Sequence, residues 1–220
     1  MSRPAQPAIA VFGGTFDPVH YGHLRPALEV AEALAPARVY MVPSARPPHR
    51  EAPVAAPHHR LAMLERAIDG QRLLCADDRE LKREGPSYMV DTLSELRSEH
   101  PRAPLILVLG QDAANGLDGW HRWRELFELA HIVVMRRPAS VANYGRELSA
   151  SFQRHPARAA EELLAVSAGL TLTMPVSQLG ISASDIRERV LAGRSIEYLT
   201  PPAVVHYIAE NGLYAALPPA

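Results

Sequence analysis

Two histidines near the start of this 220-residue chain and an arginine near its end are the side chains best suited to chemistry, and their spacing points to phosphate. The run Gly13-Gly14-Thr15-Phe16-Asp17-Pro18-Val19-His20-Tyr21-Gly22-His23 follows a short apolar stretch, Ala8–Phe12. Glycines at a strand end let backbone approach a bulky ligand. A helix beginning near Gly22 would turn free N–H groups and its positive dipole end toward an anion. His20 and His23 are three apart, so they share one side of that first turn. The run has neither a G-x-G-x-x-G fingerprint nor a Walker lysine, which argues against the usual dinucleotide and P-loop cradles. On its own it also reads as a Gly-rich turn bearing two surface histidines, and no third ligand stands at a convincing spacing for a metal.

The second cluster is Ile181-Ser182-Ala183-Ser184-Asp185-Ile186-Arg187. Ser182 suits an N-cap with Asp185 three residues on, as in a capping box. The amides of that first turn, the Ser184 hydroxyl and the Arg187 guanidinium would then converge on one anion. Alone, this is a well-capped surface helix closed by Gly193. Together with the first run it makes a second phosphate-facing helix start.

The elements that must position these groups are legible from periodicity. Ala8–Phe12, Val39–Val42, Leu105–Leu109 and Ile132–Met135 read as buried strands, with Leu73–Cys75 and Leu170–Thr173 as weaker ones. Helical patterns lie over Gly22–Leu34, His59–Ile68, Val90–Ser98, Trp123–Leu129, Asp185–Ala192 and Ala203–Glu210, the last stopped by Asn211-Gly212. This alternation predicts an α/β fold, a Rossmann-like parallel sheet with helices on both faces plus a small C-terminal helical part. One domain over 1–220 is expected, a core over 1–175 and a helical segment over 176–220 carrying the second phosphate motif. Ligands of such sheets bind beyond the carboxyl ends of the strands. Ser44–Pro57 reads as a long Pro-rich functional loop, and Pro138–Pro156 as a second irregular stretch with room for a short helix.

Composition narrows the partners. The net charge is −1, so there is no basic field for a nucleic acid polymer. Lys82 is the single lysine among 23 cationic side chains, which favours planar, bidentate recognition of phosphate or carboxylate. Cys75 is alone, so an internal disulfide is ruled out and a thiolate metal site is implausible. No apolar run reaches the ~18 residues of a membrane span, and the first apolar run is short for a secretory signal. A cytoplasmic protein is expected, with self-association left open.

The string Gly13–His23 resembles the signature of nucleotidyltransferases with an H-x-G-H element, and the chain is similar to the nicotinate-mononucleotide adenylyltransferase family over nearly its whole length. The resemblance implies transfer of AMP from ATP to nicotinate mononucleotide, with Mg²⁺ held mainly by ATP phosphates and water. It implies that Gly13, Gly14, Thr15, Phe16, His20, His23, Ile181, Ser182, Ser184 and Arg187 bind ATP, with His20, His23 and Arg187 catalytic. Pro47-Pro48-His49-Arg50 is similar to the family's loop beside the active site, so His49 and Arg50 are expected to bind the mononucleotide. The expected partners there are Tyr88, Met89, Gly110, Asp112, Trp120 and His121, with the Trp120 indole stacked on the pyridine ring.

Each acceptor-side residue has a plainer reading. Trp120 could be a core aromatic, Asp112 an N-cap, and His49 and Arg50 part of a solvated loop. The family commonly has Thr at the place of Met89 and often Tyr at the place of His121. The resemblance implies that backbone amides there hold the nicotinate carboxylate, and backbone donors survive such replacements. Alternatives are adenylyl transfer to nicotinamide mononucleotide or phosphopantetheine, cytidylyl transfer to an alcohol phosphate, and a non-catalytic pyridine-nucleotide sensor on the same fold. A redox dehydrogenase lacks its phosphate loop here.

Overall fold

The computed structural model describes residues 7–34, 38–46, 52–136 and 141–215. Six strands, β1 (Ile9–Gly14), β2 (Arg38–Pro43), β3 (Leu74–Ala76), β4 (Leu105–Gly110), β5 (His131–Arg136) and β6 (Thr171–Pro175), form one sheet in the order β3-β2-β1-β4-β5-β6. Every neighbouring pair is parallel. The helices are α1 (Tyr21–Ala33), α2 (Pro57–Ile68), α3 (Arg79–Lys82), α4 (Met89–Glu99), α5 (Gln111–Asn115), α6 (Trp123–Leu129), α7 (Arg146–Arg154), α8 (Ala160–Ala165), α9 (Ala183–Leu191) and α10 (Pro202–Glu210), with a 3₁₀ turn at Leu117–Gly119.

The strands are nearly continuous apolar runs because both faces are covered. Successive side chains alternate between faces. Ala10, Phe12, Ile106, Val108, Val133 and Met135 enter one cluster, where α1, α2, α9 and α10 contribute Val30, Met63, Leu64, Ile186, Val204 and Ile208. Ile9, Val11, Leu105, Leu107, Leu109, Ile132 and Val134 enter the other, against Val90, Leu93 and Leu96 of α4, Leu126 of α6 and Leu148 of α7. Each fully buried Leu, Ile or Val contributes about 1.5–3 kcal/mol relative to exposure. The two layers of helices are held on mainly by this burial.

The expected architecture is the observed one, and the differences lie in short elements. β1 runs on through Gly13 and Gly14, and β3 sits one residue later than its apolar run. Helices α3, α5 and α8 span four to six residues, too few for a 3.6-residue period to declare itself. The irregular stretch after β5 carries α7, anchored by buried Leu148.

Strand order decides where a ligand belongs. From β1 the chain winds outward through β2 to β3, then returns to β4 on the other side of β1. The order reverses between β1 and β4, so the crevice of this sheet opens beyond their carboxyl ends. The turn after Gly14 and the segment after Gly110 flank it.

Candidate active site

His20 closes the turn after β1 in extended geometry (φ −152°, ψ 171°) as the N-cap of α1. Its ring stacks on that of His23, with centroids 3.8 Å apart and planes inclined by 28°. Phe16, at φ 49° and 1% exposed, meets His23 edge-on at 5.1 Å. Phe16 therefore supports the imidazole pair from within the core. The room left by two glycines is also partly taken. A Cβ at Gly14 would lie 2.8 Å from the Phe16 ring, and one at Gly13 would lie 2.6 Å from the Met89 methyl. Gly22 is the glycine whose smallness matters most, because a Cβ there would come within 2.9 Å of the His20 ring and 3.1 Å of the Ile181 carbonyl. That contact brings the two phosphate-facing motifs together.

The second motif arrives as expected at its cap. Ser182 Oγ accepts from the Asp185 amide at 3.1 Å, while the Asp185 carboxylate accepts from Arg189 at 2.8 Å. From α9 the Arg187 guanidinium reaches back across the chain. Its Nη1 donates to the Asp17 carbonyl at 2.7 Å and lies 4.0 Å from the Asp17 carboxylate, and its Nη2 donates to Ser184 Oγ at 3.3 Å. The following segment fastens the same turn. Thr200 Oγ1 donates to the Val19 carbonyl at 2.7 Å, and the Tyr21 amide donates to the Leu199 carbonyl at 3.1 Å. One of the amides expected to face an anion at the start of α1 is thus already engaged.

The described residues expected on the acceptor side lie at the starts of α4 and α5 and around the 3₁₀ turn. Tyr88 is the N-cap of α4, and its ring lies 4.3 Å from that of His121, inclined by 30°. Gly110, not Asp112, caps α5. The Asp112 carboxylate stands exposed in the first turn beyond β4. Trp120 answers to its plainer reading, an aromatic that closes a turn and packs on the core. It terminates the 3₁₀ turn with its amide on the Leu117 carbonyl at 3.0 Å and receives the Trp123 amide at 3.2 Å. Half-buried, it packs with Tyr88 and Met89 against one apolar cluster. His49 and Arg50 lie outside the described residues.

Three groups that sequence patterns did not single out tie the site together. Asp17, 4% exposed, accepts from the amides of Val54 at 2.7 Å and Ala55 at 3.1 Å and from the Tyr214 hydroxyl at 2.7 Å. Burial, and then the bond to Asp17, pushes the Tyr214 hydroxyl far above its usual range. Arg60, with no exposed surface, donates to the carbonyls of Thr15 at 2.8 Å, Ala55 at 3.2 Å and Ala45 at 3.4 Å. Burial lowers its affinity for the proton, partly offset by the charge of Asp17. Glu80 is buried beside Thr92, whose hydroxyl donates to it at 2.7 Å, and burial raises its carboxyl. Ser87 Oγ accepts the amides of Ala45 and Arg46 at 2.9 and 3.2 Å. A clue to Arg60 existed in the sequence. It falls on the stripe of α2 that carries Met63 and Leu64, where a cation is out of place.

Both the sequence and the fold have counterparts among known proteins. A family model described as Cytidylyltransferase-like matches residues 11–189. A relative from Methylococcus capsulatus named "Probable nicotinate-nucleotide adenylyltransferase" is 47% identical over 94% of this chain and 99% of its own. One of the same name from Halorhodospira halophila is 45% identical over 97% and 98%. In fold, the chain is similar to the Plasmodium falciparum nicotinic acid mononucleotide adenylyltransferase complexed with NaAD. That match has a TM-score of 0.72 over 95% of this chain and 98% of the other, at 18% identity.

Proposed function

The chain belongs to the cytidylyltransferase-like family and, within it, to the nicotinate-nucleotide adenylyltransferases, and from that membership we propose how its own residues share the work. It is a nucleotidyltransferase of NAD biosynthesis, transferring AMP from ATP to nicotinate mononucleotide and giving nicotinate adenine dinucleotide and pyrophosphate. A phosphate oxygen of the mononucleotide attacks the α-phosphorus as the bond to the β-phosphate oxygen breaks, and the electron pair leaves with pyrophosphate. The nucleophile is already an anion, so no side chain need activate it. What the protein supplies is alignment and neutralisation of charge on the leaving group.

His20, His23 and Arg187 take the polyphosphate, with Ser182, Ser184 and the first-turn amides of α9 beside them. The observation that carries this assignment is the reach of Arg187 onto the Asp17 carbonyl, within three residues of the stacked imidazoles. Gly13, Gly14, Thr15 and Ile181 shape that turn, and Phe16 acts from below through His23. Asp112 takes ribose hydroxyls, Gly110 and the backbone at Met89 and His121 take the nicotinate, and Trp120 beside Tyr88 provides the stacking surface. His49 and Arg50 join through the loop before α2.

The described residues offer no group of three His, Cys, Asp or Glu that could hold a metal. In this reading Mg²⁺ would be held mainly by ATP phosphate oxygens and water, where it would supply further charge neutralisation. The chain acts as one domain, a core over 1–175 and a helical segment over 176–220, supported by the entry of α9 and α10 into the same cluster as α1 and α2. A cytoplasmic location belongs to the same proposal, and among the described residues no helix is long and apolar enough to cross a membrane.

The test offers purified protein ATP and Mg²⁺ with nicotinate mononucleotide, nicotinamide mononucleotide and phosphopantetheine in turn, reading pyrophosphate release. Nicotinate mononucleotide should give the highest kcat/KM. Release with none of them would indicate a sensor instead.

A further inference from the structure

We propose that Asp17 is a positioning residue, fixing the acceptor-side loop in register with the phosphate-facing turn. This rests on the adenylyl-transfer function above. The carboxylate sits where separate parts of the chain converge. Its oxygens accept from the Val54 and Ala55 amides, at the end of the connection between β2 and α2, and from the Tyr214 hydroxyl near the C-terminal end. Its main-chain carbonyl accepts from Arg187. One residue thus holds the flank of the acceptor loop with its side chain and the ATP-side guanidinium with its backbone. Arg60 reinforces the same joint by binding the Thr15 carbonyl together with those of Ala45 and Ala55, one on each flank of that connection.

Asp17 has no need to touch substrate for this to matter. In-line displacement requires the attacking oxygen about 3–3.5 Å from phosphorus, and a 1 Å misplacement costs on the order of 100-fold. A carboxylate is also specifically required. All three partners of the side chain are donors, and an amide would turn an NH₂ group against one of them in a buried place. Asp17→Asn should therefore spoil alignment more than it spoils binding.

Two variants test this. Calorimetry of Asp17→Asn with α,β-methylene-ATP and, separately, nicotinate mononucleotide should give stoichiometries near one and little change in affinity. Its single-turnover rate should fall roughly 10–100-fold, the scale for a misplacement of an ångström or less. Tyr214→Phe removes one of the three donors and should show a smaller fall in the same rate, again with binding intact. A wild-type rate in Asp17→Asn, or a loss confined to KM or to binding stoichiometry, overturns the proposal. If Asp17→Asn does not fold, an unchanged rate in Tyr214→Phe overturns it instead. A wild-type protein that forms no dinucleotide removes the assigned function and this proposal with it. Normal wild-type turnover beside an unimpaired Asp17→Asn removes the proposal alone.

Discussion

At the amino ends of the strands, the Arg97 guanidinium donates to the carbonyls of His100, Ala103, Leu129 and Ser167, at 2.8–3.2 Å. At the carboxyl ends, Arg60 does the same to Thr15, Ala45 and Ala55. Both clamp main-chain carbonyls of loops that enter or leave the sheet, and burial lowers the proton affinity of both. Each end also has a buried imidazole. His131 is spent on backbone, with Leu170 N–H donating to Nδ1 at 3.0 Å and Nε2–H donating to the Val166 carbonyl at 3.0 Å. At the other end His20 stacks on His23, in reach of the segment that brings Ser182, Ser184 and Arg187. A buried base on carbonyls is therefore a clamp wherever it occurs. What separates the two ends is whether further donors converge beyond the clamp at the switch point.

The largest effect should come from the carboxyl end. His20→Ala should lose roughly 10²–10³ in kcat, the scale for one charge-stabilising donor, with a melting temperature close to wild type. A near-wild-type rate would place the imidazole pair with the structural histidines.

Next comes Arg97→Met, which should do the reverse. Removing a donor shared by four carbonyls should cost about 2–4 kcal/mol in urea denaturation, with kcat unchanged where the protein stays folded. A fall in kcat without loss of stability would break the division between the two ends.

The smallest effect is in pH. Burial, the largest influence on His131, holds its pKa below the usual value, and Arg97 adds to the depression. The neutral ring therefore contributes stability that is fully present above the unfolded value of about 6.5 and is lost as pH falls through the depressed one. The melting temperature should drop from pH 7 toward pH 5, and more steeply in wild type than in His131→Gln. Parallel curves would show that His131 binds its proton equally well in the folded and unfolded chain, against the depression that burial is expected to cause.

Local information made much of this molecule legible. The strands declare themselves because burial on both faces leaves unbroken apolar runs, and the long helices because one face must be apolar. The string from Gly13 to His23 and the capped segment from Ile181 to Arg187 carry their chemistry in residue type and spacing. The Ser182 cap needs nothing beyond its own turn. The sequence also placed Asp112 at a strand's carboxyl end, although the cap beside it proved to be Gly110.

Only the tertiary structure decided how those pieces meet. Nothing local couples Asp17 to Arg187, 170 positions away, or to Tyr214, 197 away, because such contacts follow from strand order and the packing of α9 and α10 on the α1 face. For the same reason Arg60 reads as an anomaly on an apolar stripe until folding surrounds it with three carbonyls. Phe16 reads as one more residue of the ATP-side run until the core places it beneath His23. Sequence spacing fixed which groups were available, and long-range packing set the distances between them.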